Sequence, residues 1–157
     1  MSETIEQAHF LNPFFDLLGE TFEGHHGSIY LDKGTSLFET LETISAQDAS
    51  IPVGGKCASL AAQVAHVTFY IELLERIIQT NDAPPVDWGE IWRTVEQVTP
   101  DEWQELKDHL QQAYLRITLV FRANPVWHED AISGALAVVV HTAYHLGEIR
   151  QALCVLH

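Results

Sequence analysis

Apolar residues recur at helical spacing along almost the whole chain. Phe10, Phe14, Phe15, Leu17, Leu18 and Phe22 mark one face of an amphipathic helix over residues 4–22, and Asn12-Pro13 predicts a start or kink inside it. Gly24 to Gly27 break this helix. Gly34 then marks the entry to a second periodic stretch, Thr35 to Ser45, carried by Leu37, Leu41 and Ile44. Together the two stretches form one kinked or interrupted helical arm, residues 4–45. Ile51-Pro52-Val53-Gly54-Gly55 is turn chemistry, and beyond it Leu60, Val64, Val67, Ile71, Leu74 and Ile78 place a long amphipathic helix at 58–79.

Asn81 to Trp88, with Pro84-Pro85, reads as a loop, and residues 88–98 as a long connection packed across the other helices. Thr99-Pro100-Asp101-Glu102 then supplies an N-cap, a proline at the first helical position and the glutamate of a capping box, so a helix runs over 99–122 until Asn124-Pro125 ends it. The last helix, 129–156, is apolar on nearly every side in its first half and is expected to be the most buried of the four. No useful length alternates with period two, and there is no internal repeat. The expected architecture is all-α: a single domain, 1–157, built as a four-helix bundle with helices around 4–45, 58–79, 99–122 and 129–156.

Composition supports a packed domain, with 46% hydrophobic and 19% charged residues in a chain of 157. Eight Lys and Arg against 22 Asp and Glu leave a formal charge of −14, which repels phosphate backbones and anionic lipid. Neither nucleic acid nor a membrane surface is an expected partner. The apolar run Ala131 to Val140 is far short of the roughly 20 residues that span a bilayer, and the acidic N-terminal stretch lacks the pattern of a secretory signal. A cytoplasmic protein is expected. Cys57 and Cys154 form no C-x-x-C pair and fit reduced, buried thiols. The apolar last helix predicts a homodimer.

Nine histidines are many for this length, and three of them fall on faces expected to be buried. His141 and His145 lie four apart on the last helix, in a stripe continued by Val138, Ile149 and Ala152, where two imidazoles can share an ion about 2.0–2.1 Å from each nitrogen. His66 interrupts the stripe of Ala62, Phe69, Leu73 and Ile77 on the 58–79 helix. Each ring needs a partner, since an unsatisfied buried polar group costs about 1–3 kcal/mol. One divalent metal ion held by His66, His141 and His145, with a position left open, would satisfy all three. Three separate core histidines bonded to backbone or hydroxyls would do so as well. With neutral imidazole ligands, metal binding is expected to fail below about pH 5–6, given the histidine reference near 6.5.

The run His141-Thr-Ala-Tyr-His145-Leu-Gly-Glu148-Ile-Arg-Gln151-Ala, preceded by Ala-Ala-Gln-Val-Ala-His66-Val-Thr-Phe-Tyr, resembles the DinB / YfiT-like family of four-helix-bundle metalloproteins. The resemblance extends from about Thr35 to Leu156. It implies a bundle with a long crossover connection, a three-histidine site at His66, His141 and His145, and a bound nickel, zinc or similar ion. Relatives in that family include S-transferases and isomerases that use low-molecular-weight thiols, so the resemblance implies a metal-dependent thiol transferase or hydrolase acting on a small-molecule substrate. A low-molecular-weight thiol would then be a second cofactor, although no cationic cluster is evident to hold a carboxylate-rich one. A non-catalytic metal- or ligand-binding bundle of the stress-response type is the alternative.

Around this core, Glu148 can touch a metal-bound water, orient a histidine from outside the ligand set, or stand as a solvated helix carboxylate. His25 and His26, in Glu-Gly-His-His-Gly, resemble a turn seen in part of the family and read otherwise as a surface turn. Tyr70 and Tyr144 can offer hydroxyls at a pocket rim, and Gly147 is expected to permit close helix approach. H-E-x-x-H does not occur, and no two of the expected helices each carry a Glu-x-x-His element, which favours one metal over two.

Overall fold

The computed structural model describes residues 5–24, 29–53 and 57–156. It is all-helical, with seven helices and no strand among the described residues: α1 (Gln7–Phe22), α2 (Leu37–Glu42), α3 (Ala46–Ala49), α4 (Leu60–Thr80), α5 (Glu90–Thr94), α6 (Pro100–Ala123) and α7 (Glu129–Leu156). Helix α4 packs against both α6 and α7, α1 against α7, and the short α3 and α5 against α4.

The N-terminal arm is more divided than its periodicity suggests. Helix α1 runs straight through Pro13, which marks no start, and ends at Glu23 with Gly24 at φ 79. Helix α2 is confined to six residues. A reciprocal cap starts it, with the Ser36 amide donating to Glu39 Oε2 at 3.2 Å and the Glu39 amide to Ser36 Oγ at 3.4 Å. Ser45 caps a further short helix, α3, just beyond the end of the expected arm at residue 45. The segment before α2 is pinned by Glu20, a buried carboxylate whose Oε1 accepts from the amides of Ile29, Tyr30 and Leu31 at 2.8, 3.1 and 3.0 Å.

The long helices begin and end where the sequence marks them. Ser59 caps α4 through the Ala62 amide, and Asn81 closes it in the left-handed region at φ 55, which asparagine tolerates better than most residues. The capping box of α6 is present, with the Thr99 amide donating to Glu102 Oε2 at 2.7 Å and the Glu102 amide to Thr99 Oγ1 at 3.2 Å. His128 receives the Ala131 amide at the start of α7.

The core joins Phe14, Leu18 and Phe22 of α1 to Val64 and Ile71 of α4, Ile117 and Phe121 of α6, and Val138, Leu146 and Ile149 of α7. Phe22 stacks on Tyr114 at 4.5 Å, and Trp103 donates its indole N–H to the Ile44 carbonyl at 2.8 Å, so aromatic rings tie the arm to α6. Helix α7 is not the most buried element. Nine of its 28 residues are buried, against eight of 21 in α4. The interior can cover only one face of a helix that is apolar nearly all round, so Leu136, Val140 and Tyr144 form an outward stripe at i, i+4 and i+8. Cys57 and Cys154 are free, as expected, but both are exposed rather than buried. Among the described residues no helix is long and apolar enough to cross a membrane.

Candidate metal centre

Two helices build the centre. His66 stands in the second turn of α4, held in register by the Ser59 cap, and His141 and His145 lie one turn apart on α7 where it crosses α4. The ring centroids are 5.0 Å apart for His66 and His141, 4.9 Å for His66 and His145, and 4.5 Å for His141 and His145. One ring nitrogen from each residue lies within 4.8 Å of the other two. Nitrogens sharing an ion at about 2.1 Å with tetrahedral angles are about 3.4 Å apart, a spacing that small side-chain rotations can reach from here. His66 and His145 are buried and His141 is half-buried.

His145 Nδ1 lies 2.5 Å from Gln63 Oε1 and 3.0 Å from Glu148 Oε2, so its proton sits on Nδ1 and its Nε2 lone pair is free. His66 Nδ1 and His141 Nε2 are buried with no hydrogen-bond partner. Only six buried side-chain atoms among the described residues are orphaned in this way, and two belong to these three histidines. A shared ion is one partner that would satisfy both nitrogens. Of the exposed histidines, His109 meets Glu72 at 2.7 Å and His128 caps α7.

Electrostatics keep the rings neutral. Burial first, then the neighbouring His145, lowers His66 to about 4 from 6.5, with the Glu148 carboxylate opposing the shift. His141 falls to about 4 through burial and then the other two histidines. Burial also lowers His145, against the pull of Glu148. Neutral imidazoles are the form that binds metal.

Aromatic rings surround the cluster. Tyr70 stacks on His141 at 3.8 Å, and Tyr144 meets His145 edge-on at 5.0 Å. Trp92, on α5, lies 4.5 Å from His66, while Trp88 lies 6.3 Å from His66 and 6.2 Å from Tyr70. The connection that carries the two tryptophans is fastened on its far side, where the Val98 amide donates to Ser50 Oγ at 2.9 Å.

All three histidines expected from the sequence therefore come together, with Glu148 touching His145 and both tyrosines against imidazoles. Gly147 does not mediate close helix approach, since a Cβ there would meet nothing within 4 Å. His25 and His26 lie outside the described residues. Sequence reasoning missed Gln63, Trp88 and Trp92. Gln63 precedes His66 by three residues and so shares its helix face, which is the one signal that pointed to it. No protein-family model, curated protein or solved structure matches this chain.

Proposed function

We propose that this chain is a divalent-metal protein of the DinB / YfiT-like type, in which α1, α4, α6 and α7 form a four-helix bundle and residues 81–98 its long crossover. His66, His141 and His145 would hold the ion, nickel or zinc on the chemistry of an all-imidazole donor set. The single observation behind this reading is the meeting of three imidazoles whose donor nitrogens lie within 4.8 Å of one another, two of them with a buried nitrogen that has no hydrogen-bond partner. Bound there, the ion supplies Lewis-acid activation of a thiol or water, as in a metal-dependent S-transferase or hydrolase. Gln63 and Glu148 hold the His145 proton at Nδ1 and so fix the tautomer that presents Nε2. Glu148 also offers a carboxylate able to accept a proton from a substrate. Trp88 and Trp92 limit water around His66. Turnover of an electrophile with a thiol only in metal-loaded protein would establish the enzyme, and tight metal binding with no such turnover would favour the non-catalytic bundle.

The role of Gln63 can be measured separately. Gln63→Ala leaves His145 Nδ1 to Glu148 alone and is expected to weaken metal binding about 10- to 100-fold, while Gln63→Glu, which keeps an acceptor, is expected to retain most of it. Competition against a chelating indicator reads both. Unchanged affinity in Gln63→Ala would remove the residue from the site.

The lowered histidines also set a pH dependence. As pH falls below 6.5 the unfolded chain takes up protons that His66 and His141, held near 4, refuse. Stability of the metal-free protein is therefore full above pH 6.5 and is lost as pH falls toward 4. Proton competition for the ligands shifts down likewise, below the pH 5–6 expected from unperturbed histidine. Thermal unfolding from pH 7 to 4, and metal retained after desalting at each pH, should show both; metal lost already at pH 6 would contradict the shift.

The outward stripe of Leu136, Val140 and Tyr144 is the surface that a homodimer in the cytoplasm would cover. Sedimentation at micromolar concentration should give twice the chain mass. A monomer would contradict this part of the proposal.

A further inference from the structure

The three imidazoles are held in place by different means. His145 is fixed by polar partners, its Nδ1 lying 2.5 Å from Gln63 Oε1 and 3.0 Å from Glu148 Oε2. His141 Nε2 has no hydrogen-bond partner, and this ring is half-buried where the other two are buried, so its side chain has the most room to turn. What it has instead is an aromatic face. Tyr70 lies on it with ring centroids 3.8 Å apart and planes 18° from parallel, a closer and squarer contact than Trp92 makes with His66 at 4.5 Å and 32°.

Helical spacing brings this contact about. Tyr70 follows His66 by four residues on α4, as His145 follows His141 on α7, and each spacing puts two side chains on one face. Helix α4 thus turns one imidazole and one phenol toward the two imidazoles of α7. Metal-ligating histidines ordinarily have a polar partner that fixes the ring from outside. A ring pinned face to face is fixed as well, since it cannot tilt without losing the contact. Coordination also draws electron density out of an imidazole, and the partial positive charge left on the ring is attracted by the face of a neighbouring phenol. The stack is therefore stronger with the ion bound than without it, and a difference of that kind is what raises affinity. Burial raises the Tyr70 hydroxyl, so the ring that lies on His141 is a neutral phenol at neutral pH.

Resting on the metal reading above, we infer that Tyr70 is a positioning residue of the centre: its ring face holds His141 in the orientation in which it takes the ion, the part that Gln63 and Glu148 play for His145. Two variants separate the face from the hydroxyl. Tyr70→Leu is expected to weaken cobalt binding about tenfold, read by competition against a chelating indicator, and to change the cobalt ligand-field spectrum at unchanged helical content. Tyr70→Phe removes only the hydroxyl and is expected to stay within about twofold of the parent, with the parent's spectrum. A third reading needs no variant and decides the matter even if Tyr70→Leu fails to fold. In the zinc-loaded parent the His141 ring protons are expected upfield of their usual NMR positions, because they lie over the Tyr70 ring. Parent-like affinity and spectrum in Tyr70→Leu, a loss in Tyr70→Phe equal to that in Tyr70→Leu, or His141 ring protons at their usual positions would each overturn the inference and leave the metal site standing. A parent that takes up neither cobalt nor zinc would overturn the metal reading and the inference with it.

Discussion

Replacing any one of His66, His141 and His145 with alanine is expected to lower metal affinity by two orders of magnitude or more and to leave the helical content intact. Each substitution leaves two imidazoles where three converged, and two are too few for a stable site of this kind. The fold survives because its core lies elsewhere, among Phe14, Leu18, Phe22, Ile117, Phe121 and Ile149. Metal-free His66→Ala and His141→Ala are expected to lose less stability between pH 7 and 4 than the metal-free parent, since each removes a ring that resists protonation. Metal stoichiometry and thermal unfolding of the three variants, each with and without added metal, check this. Independent core histidines would behave differently, each change costing about 1–3 kcal/mol separately with no common metal phenotype.

The opposite pattern is expected at Phe22. Its ring is wholly buried, stacked on Tyr114 at 4.5 Å and 5.7 Å from Phe38. Phe22→Ala leaves a cavity where α1, α2 and α6 meet, at a cost of about 3–5 kcal/mol, or roughly 6–20 °C in the unfolding midpoint of a chain this long. The substitution is remote from α4 and α7 near the histidines, so metal bound per folded chain should not change. Calorimetry paired with elemental analysis of the folded fraction measures both quantities. A loss of metal without loss of stability would mean that the core and the site are coupled in a way the packing does not provide.

The histidine and Phe22 sites also mark how far the sequence was legible. The long helices could be read because their caps are local chemistry: Thr99 with Glu102 announces α6, and Asn124-Pro125 stops it. The three histidines were legible for a related reason, since i, i+4 spacing on one helix and an odd polar ring in the apolar stripe of another can be seen without coordinates. Burial could not be read in the same way. The first half of α7 is apolar all round, and only the position of its neighbours decides that Val138 is inside and Val140 outside. Cys57 and Cys154 failed as buried thiols on the same ground. The tryptophans were hidden by topology, because the 81–98 connection has no periodicity to show which way it folds back, and its contact with His66 spans more than twenty residues. Gln63 illustrates the limit: its face was readable, but its bond to His145 depends on the distance between α4 and α7.

The metal content of protein produced without an affinity tag decides whether the three histidines hold an ion. Purified in buffer free of chelator and analysed by mass spectrometry for elements, the protein is expected to carry close to one divalent transition-metal ion per chain, and to regain that ratio when stripped and then supplied with nickel or zinc. Protein that binds neither ion above trace levels at neutral pH, with His66, His141 and His145 intact, would mean that the three histidines are not a metal site.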